Sequence, residues 1–176
     1  ATGENDITIS NNITHNNVAA GTLSLVAGRS ILFNGGADVT GTGGTYAVTL
    51  NSDSNAASGG AIALGSGTVI TSAGGSITLG GGATPATVAA IGTATNVEGV
   101  LLDNAQLLSG AGNISLRGQG NNSAGDSRYG VSIANGSVIQ SSTGLVTITG
   151  TGGNGDNLNI GVDINGTGSR VTSTGA

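Results

Sequence analysis

The sequence predicts an all-β chain folded as a parallel β-helix, a three-faced β-solenoid running as a single segment through residues 1–176. Three observations carry that expectation. A short alternation of aliphatic and small polar residues recurs along the chain, the copies follow one another at nearly fixed spacing, and the composition suits short strands joined by tight turns. Such an alternation puts aliphatic side chains on one face of a strand and Ser or Thr on the other.

The first pattern is aliphatic-x-aliphatic: Ile7-Thr8-Ile9, Leu23-Ser24-Leu25, Val48-Thr49-Leu50, Ile77-Thr78-Leu79, Ile114-Ser115-Leu116 and Val146-Thr147-Ile148. A second begins on Gly or Ala: AIAL at Ala61 to Leu64, GVLL at Gly99 to Leu102, GVSI at Gly130 to Ile133 and GVDI at Gly161 to Ile164. A third follows it: TVITS at Thr68 to Ser72, QLLSG at Gln106 to Gly110, SVIQS at Ser137 to Ser141 and SRVTS at Ser169 to Ser173.

Spacing orders the three. Ile62 to Ile70, Val100 to Leu108 and Val131 to Ile139 are each eight residues, and Val162 to Val171 is nine. Ile70 to Ile77 is seven, Leu108 to Ile114 six and Ile139 to Val146 seven. The return is not fixed: Leu50 to Ile62 is 12, Leu79 to Val100 is 21, Leu116 to Val131 is 15 and Ile148 to Val162 is 14. Two tight corners and one that tolerates insertion describe a three-faced coil, because extra chain is accommodated where it bulges into solvent without disturbing the stack. The insertions fall at 51–60, 80–98, 117–129 and 149–160. The first 45 residues fit less well. SILFN at 30–34 and ADVT at 37–40 read as strands, but Ile7 to Leu23 is only 16 residues, short for a full three-sided coil, so coils are expected there without a fixed register. A short helix or an irregular loop is expected at Thr84 to Ile91, where Thr84 can cap and Pro85 suits a first helical turn.

Composition agrees. Glycine supplies 35 of 176 residues and only 7% are charged. Ile, Val, Leu and Phe number 41, enough for a core but a thin one, with no Trp or Met. The net charge of −5, from four Arg and no Lys against nine acidic residues, argues against nucleic acid and against an anionic membrane surface. No run approaches the 18 apolar residues of a membrane-inserted helix. Without cysteine there is neither a disulfide nor a thiolate metal site. The chain opens without a signal-peptide pattern and closes on VTSTGA inside a repeat, which reads as a fragment or processed piece of a longer repeat protein.

GGSITLGG at 74–81, GVLLDNAQLLSGAGNISLRGQG at 99–120 and GVSIANGSVIQSSTGLVTITGTGG at 130–153 resemble the filamentous-haemagglutinin-like exoproteins, the large adhesins of two-partner secretion. Autotransporter passengers look similar. The resemblance covers most of the chain beyond about residue 45. It implies a right-handed parallel β-helix, export through an outer membrane, and adhesion or surface-fibre structure at a secreted or cell-surface location. The NPNG-like or NPNL-like motif of the family's secretion domain is absent, as Pro85 is the only proline, so the segment would belong to the shaft.

Enzymes on this fold set acidic or basic side chains from neighbouring coils on one face. Successive coils here give Ala63, Leu101, Ser132, Asp163 in one row and Gly65, Asp103, Ala134, Asn165 in the next, with no pair of carboxylates for general acid–base work. No catalytic, cofactor-binding or metal-binding residue is therefore expected. His15 lacks ligand-spaced partners and reads as an exposed polar residue. Residues 152–158, GGNGDNL, approach a calcium nonapeptide, but the Asp arrives one position early and no second copy follows, so a Gly/Asn turn is expected. Asn104 and Asn135 occupy the same place in successive coils and suggest a stacked-amide ladder. Thr147, Thr149 and Thr151 suggest an ice-binding array, yet the preceding coil offers Ser115, Arg117 and Gln119, which breaks it.

The expected surface binding loop is Arg117, Asn121, Asn122, Asp126, Arg128 and Tyr129, where an aromatic beside Arg and Asn suits contact with carbohydrate or protein. The functional expectation is a structural or adhesive shaft of a secreted surface protein. Its partners are flanking repeats or further copies stacked end to end into a filament, and a host or neighbouring-cell protein or glycan. The alternative is a carbohydrate-active or carbohydrate-binding β-helix, which requires a groove lined from at least two coils.

Overall fold

Six coils stack on one another. In the computed structural model, which describes residues 5–175, all regular structure is β-strand. Coil 1 holds β1 (Ile7–Ile9), β2 (Ile13–His15) and β3 (Gly21–Val26); coil 2 holds β4 (Ile31–Phe33), β5 (Val39–Gly41) and β6 (Tyr46–Ser52). Coil 3 holds β7 (Ile62–Leu64), β8 (Val69–Thr71) and β9 (Ile77–Gly81), followed by the short β10 (Ala90–Ile91). Coil 4 holds β11 (Val100–Asp103), β12 (Gln106–Gly110) and β13 (Ile114–Gln119); coil 5 holds β14 (Val131–Ala134), β15 (Val138–Ser141) and β16 (Val146–Thr151). Coil 6 contributes β17 (Val162–Ile164) and β18 (Arg170–Ser173).

The strands form three sheets. Sheet A runs β1-β4-β7-β11-β14-β17, sheet B runs β2-β5-β8-β12-β15-β18, and sheet C joins β3, β6, β9, β13 and β16, with β10 beside β13. Every ladder is parallel, since each turn of the chain runs the same way round the same core. The fold is a three-faced parallel β-solenoid.

Alternation and register together build aliphatic columns. Ile31, Ile62, Val100 and Val131 face inward from sheet A, Val39, Ile70, Leu107 and Ile139 from sheet B, and Val48, Ile77 and Ile114 from sheet C, all fully buried. Each such side chain contributes about 1.5–3 kcal/mol by leaving water. Chain entropy opposes that sum.

The corner between sheets B and C shows why serine and glycine recur. Ser72, Ser109 and Ser141 turn their hydroxyls into the stack, and Ser72 and Ser109 donate to Gly75 O and Gly112 O at 2.5 and 2.6 Å. Ser141 donates to Gly112 O at 3.0 Å and accepts from Gly144 N at 2.7 Å, which links two coils. A Cβ on Gly112 would lie 2.0 Å from the Gly75 carbonyl oxygen, so only glycine lets adjacent coils close at that point. At the corner between sheets A and B, Asn104 and Asn135 hold left-handed backbone (φ 48° and 56°). Their amides do not stack on each other: Asn104 Nδ2 donates to Ser66 Oγ at 3.0 Å and Asn135 Nδ2 to Asp103 Oδ1 at 2.7 Å.

The third corner is built as well. Gly82 N donates to Ser52 O, Ile91 N to Gly60 O, Gly92 N to Gln119 O and Asn121 N to Val97 O, so each excursion rests on those of neighbouring coils.

Several sequence expectations shift. Leu107, not Leu108, is the buried partner of Ile70 and Ile139, because the A-to-B corner of coil 4 is one residue shorter than those of coils 3 and 5. The spacing to Ile114 then becomes the same seven as in coils 3 and 5. Residues 7–26 do form a complete coil, since β1, β2 and β3 each join a different sheet. Its return from Leu25 to Ile31 is six residues, so the variable corner begins from almost no insertion. Thr84 to Ile91 is the irregular alternative: Thr87 N and Val88 N both close on Thr84 O, and the chain then extends into β10, which pairs Ala90 with Gly118.

Candidate functional site

The six residues of the expected binding loop do not form one cluster. Arg117 lies on β13, where it pairs with Thr149 of β16, and its Nε donates to Ala86 O at 2.6 Å in the coil 3 excursion. The other five follow the end of that strand. Asn121 is half-buried, with Nδ2 donating to Gly92 O at 2.9 Å and Oδ1 accepting from Ser123 N at 2.8 Å. Asn122 is exposed. Asp126 Oδ1 accepts from Asn157 Nδ2 at 3.0 Å. The Arg128 guanidinium donates to the carbonyls of Ser123 and Ala124, and Tyr129 turns its hydroxyl back to Ser127 Oγ at 3.4 Å. Neither arginine pairs with Asp126; among the described residues an ion pair joins Arg29 to Asp6.

Residues 121–129 are therefore a braced ledge. Residues 153–160 stack beneath it: Gly153 N donates to Arg128 O at 2.8 Å, Asp156 N to Gly125 O at 2.9 Å and Ser127 N to Asn157 O at 3.1 Å. The sequence places polar residues here because the corner faces water, and the fold directs most of them at one another. The near-calcium motif joins the same network, with Asp156 Oδ2 accepting from Gly125 N at 3.1 Å. Among the described residues no three His, Cys, Asp or Glu are grouped to hold a metal ion, and no helix is long and apolar enough to cross a membrane.

Asp103 and Asp163 stand in different rows, opposite Ala134 and Ser132. Their carboxylates accept from the amides of Asn135 and Asn165. His15 is half-buried rather than exposed. Its ring stacks on Tyr46 with centroids 4.5 Å apart, and Nε2 lies 3.1 Å from Ala19 O. Tyr46 is 6% exposed, and that burial raises its phenol pKa.

The Ser/Thr row on sheet C is longer than expected, running unbroken as Ser24, Thr49, Thr78, Ser115 and Thr147. It is one residue wide where it meets Gly80. The backbone of Pro85 lies over that position, 2.0 Å from where a Cβ would project, so the face carries a ridge and is not flat.

Sheet B carries a concavity whose lining spans several coils. It holds about 390 Å³ and is lined by outward-facing residues of coils 3 to 6, among them Thr71, Gln106, Leu108, Val138, Gln140 and Arg170. In register, Val69, Gln106, Val138 and Arg170 form one outer row and Thr71, Leu108, Gln140 and Thr172 the next. None of these residues was among the candidates. The available signal was a change of side-chain size: the second row is Thr14, Thr40 and Thr71 in coils 1 to 3, then Leu108 and Gln140. No protein-family model, curated protein or solved structure matches the chain.

Proposed function

We propose that this chain is a structural or adhesive shaft segment of a secreted bacterial surface protein, acting outside the cell as a stiff spacer and not as an enzyme. The observation that carries the reading is the stack itself: three sheets keep one parallel register through successive coils around a continuous aliphatic core. In the first and last described coils the inward columns are partly open: Ile7, Ile9, Ile13, Leu23 and Leu25 are half-buried, and Val162 and Ile164 are 37% and 49% exposed. Strand edges and apolar rows left in this state invite another rung. Flanking repeats or a second copy would supply it in the same three-sheet cross-section. The small, sparsely charged outer faces support a shaft, as does the resemblance of 74–153 to filamentous-haemagglutinin-like exoproteins.

The test is sedimentation and negative-stain microscopy of the 176-residue chain over a range of concentrations. The expected outcome is end-to-end rods of constant width that lengthen with concentration and disappear in Ile164→Arg. Monomers at every concentration, with Ile164→Arg unchanged, would remove the filament form of the reading.

A further inference from the structure

We infer that the outer face of sheet B across coils 3 to 6 is a binding groove for a short acidic saccharide. The inference does not depend on filament formation, because the groove is complete within one chain.

A flat sheet face has no reason to enclose anything, yet Val138, which points outward, is only 5% exposed. Gln106 and Arg170 flank it in its own row, and Leu108 and Gln140 stand in the next, so bulky neighbours make the walls and Val138 makes the floor. The volume of about 390 Å³ falls within the range of small-ligand sites. Four successive rungs line it at the strand spacing, which gives a trough roughly 14 Å long down the stack axis.

The lining chemistry selects the ligand. Leu108 and Val138 offer an aliphatic surface for the C–H face of a sugar ring. Among the described residues the side-chain amides of Gln106 and Gln140 have no hydrogen-bond partner, and each offers the donor and acceptor that a hydroxyl group needs. Arg170 is exposed, its guanidinium makes one long hydrogen bond among the described residues, at 3.4 Å to Gly168 O, and no carboxylate lines the groove. In a chain of net charge −5 that leaves a local positive pole whose planar fork matches an acidic group. A peptide strand is a poorer occupant, because the backbone groups of this face are already committed to the parallel ladders above and below. Nucleic acid would require more than one cation.

The experiment is titration calorimetry with three trisaccharide probes: trigalacturonic acid, its neutral methyl ester, and a sulfated galactose trisaccharide. Methyl NMR shifts report whether Leu108 and Val138 move. The acidic probes are expected to bind with those two methyl groups perturbed, and the ester about tenfold or more weaker, the loss of one charge-assisted interaction. Arg170→Gln should bring acid and ester to the same affinity, and Gln140→Ala should weaken both. Binding of only the sulfated or only the uronate probe, with Arg170 required, identifies the acidic group and supports the site. Three results would overturn it: no binding of either acidic probe, acid binding untouched by Arg170→Gln, or loss of binding in Arg128→Gln, which would move recognition to the ledge. The rod assay is read separately, so failure here and failure of the shaft reading are distinguishable.

Discussion

Ile133 and Ile164 are the same residue in the same column of sheet A, paired directly across one rung, yet one is fully buried and the other 49% exposed. Ile133 has a coil on either side and Ile164 has a coil on one. Burial in a solenoid is thus a property of neighbours, and the interior and end coils differ in stability although their strands carry the same pattern. The comparison breaks most clearly under truncation. Ile133→Ala should cost about 2–5 kcal/mol, whereas Ile164→Ala should cost about 1 kcal/mol, since half of its surface is already wet. Urea unfolding of the two variants checks this. Equal losses would mean that a further rung covers Ile164 in solution, and the gap should then reopen on dilution.

The serine column sharpens the same contrast at smaller scale. Ser109 is fully buried, with its hydroxyl 2.6 Å from Gly112 O, while Ser173 in the last coil is exposed and reaches Gly144 O at 2.9 Å. Ser109→Ala should lose about 1 kcal/mol. Ser173→Ala should lose a few tenths, because water replaces the partner where the corner is open. Thermal melting of the two single variants measures the difference, and amide exchange at Gly112 and Gly144 shows whether it stays local.

Most of the fold was legible in the residues because alternation and spacing are the fold. Val100-x-Leu102 and Ile114-x-Leu116 can face inward in only one register if their neighbours do the same. Errors arose where two registers satisfy the same pattern. In Gln106-Leu107-Leu108-Ser109 either leucine can point inward, and only the shorter corner at Asn104 selects Leu107. Coil 1 was obscured because the 16 residues from Ile7 to Leu23 were weighed against a full coil, although they span only sheet A to sheet C, a path that takes 15 residues from Ile62 to Ile77; within it His15 stands opposite Gly41 and stacks its ring on Tyr46 of the next coil. The candidate site was less legible. Arg117 and Arg128 are close in sequence, but a strand end separates them: one braces the coil 3 excursion and the other closes its own loop. The sheet B groove draws one to three residues from each of four coils, so no local stretch of sequence contains it.

The smallest expected effect lies in the first coil, where the Arg29–Asp6 pair is the electrostatic counterpart of the open apolar column. Arg29 Nε donates to Asp6 Oδ1 at 2.8 Å and Ser30 N donates to the same oxygen at 2.9 Å. The hydrogen bond from Arg29 is the main reason the Asp6 carboxyl titrates below its ordinary value. A depressed pKa means that the pair's contribution is complete above the ordinary carboxylate range and disappears as pH falls through the lowered value. Both side chains keep solvent contact, 44% and 25% exposed, so the contribution is about 0–1 kcal/mol and weakens with salt. Asp6→Asn should therefore flatten the acid limb of the unfolding midpoint slightly and leave neutral-pH rods intact. A larger loss at neutral pH would mean that the Ser30 bond, which ties residue 6 to the start of coil 2, matters more than the charge. Asn keeps a side-chain oxygen acceptor for Ser30 N and Ala does not, so comparing Asp6→Asn with Asp6→Ala separates the two contributions.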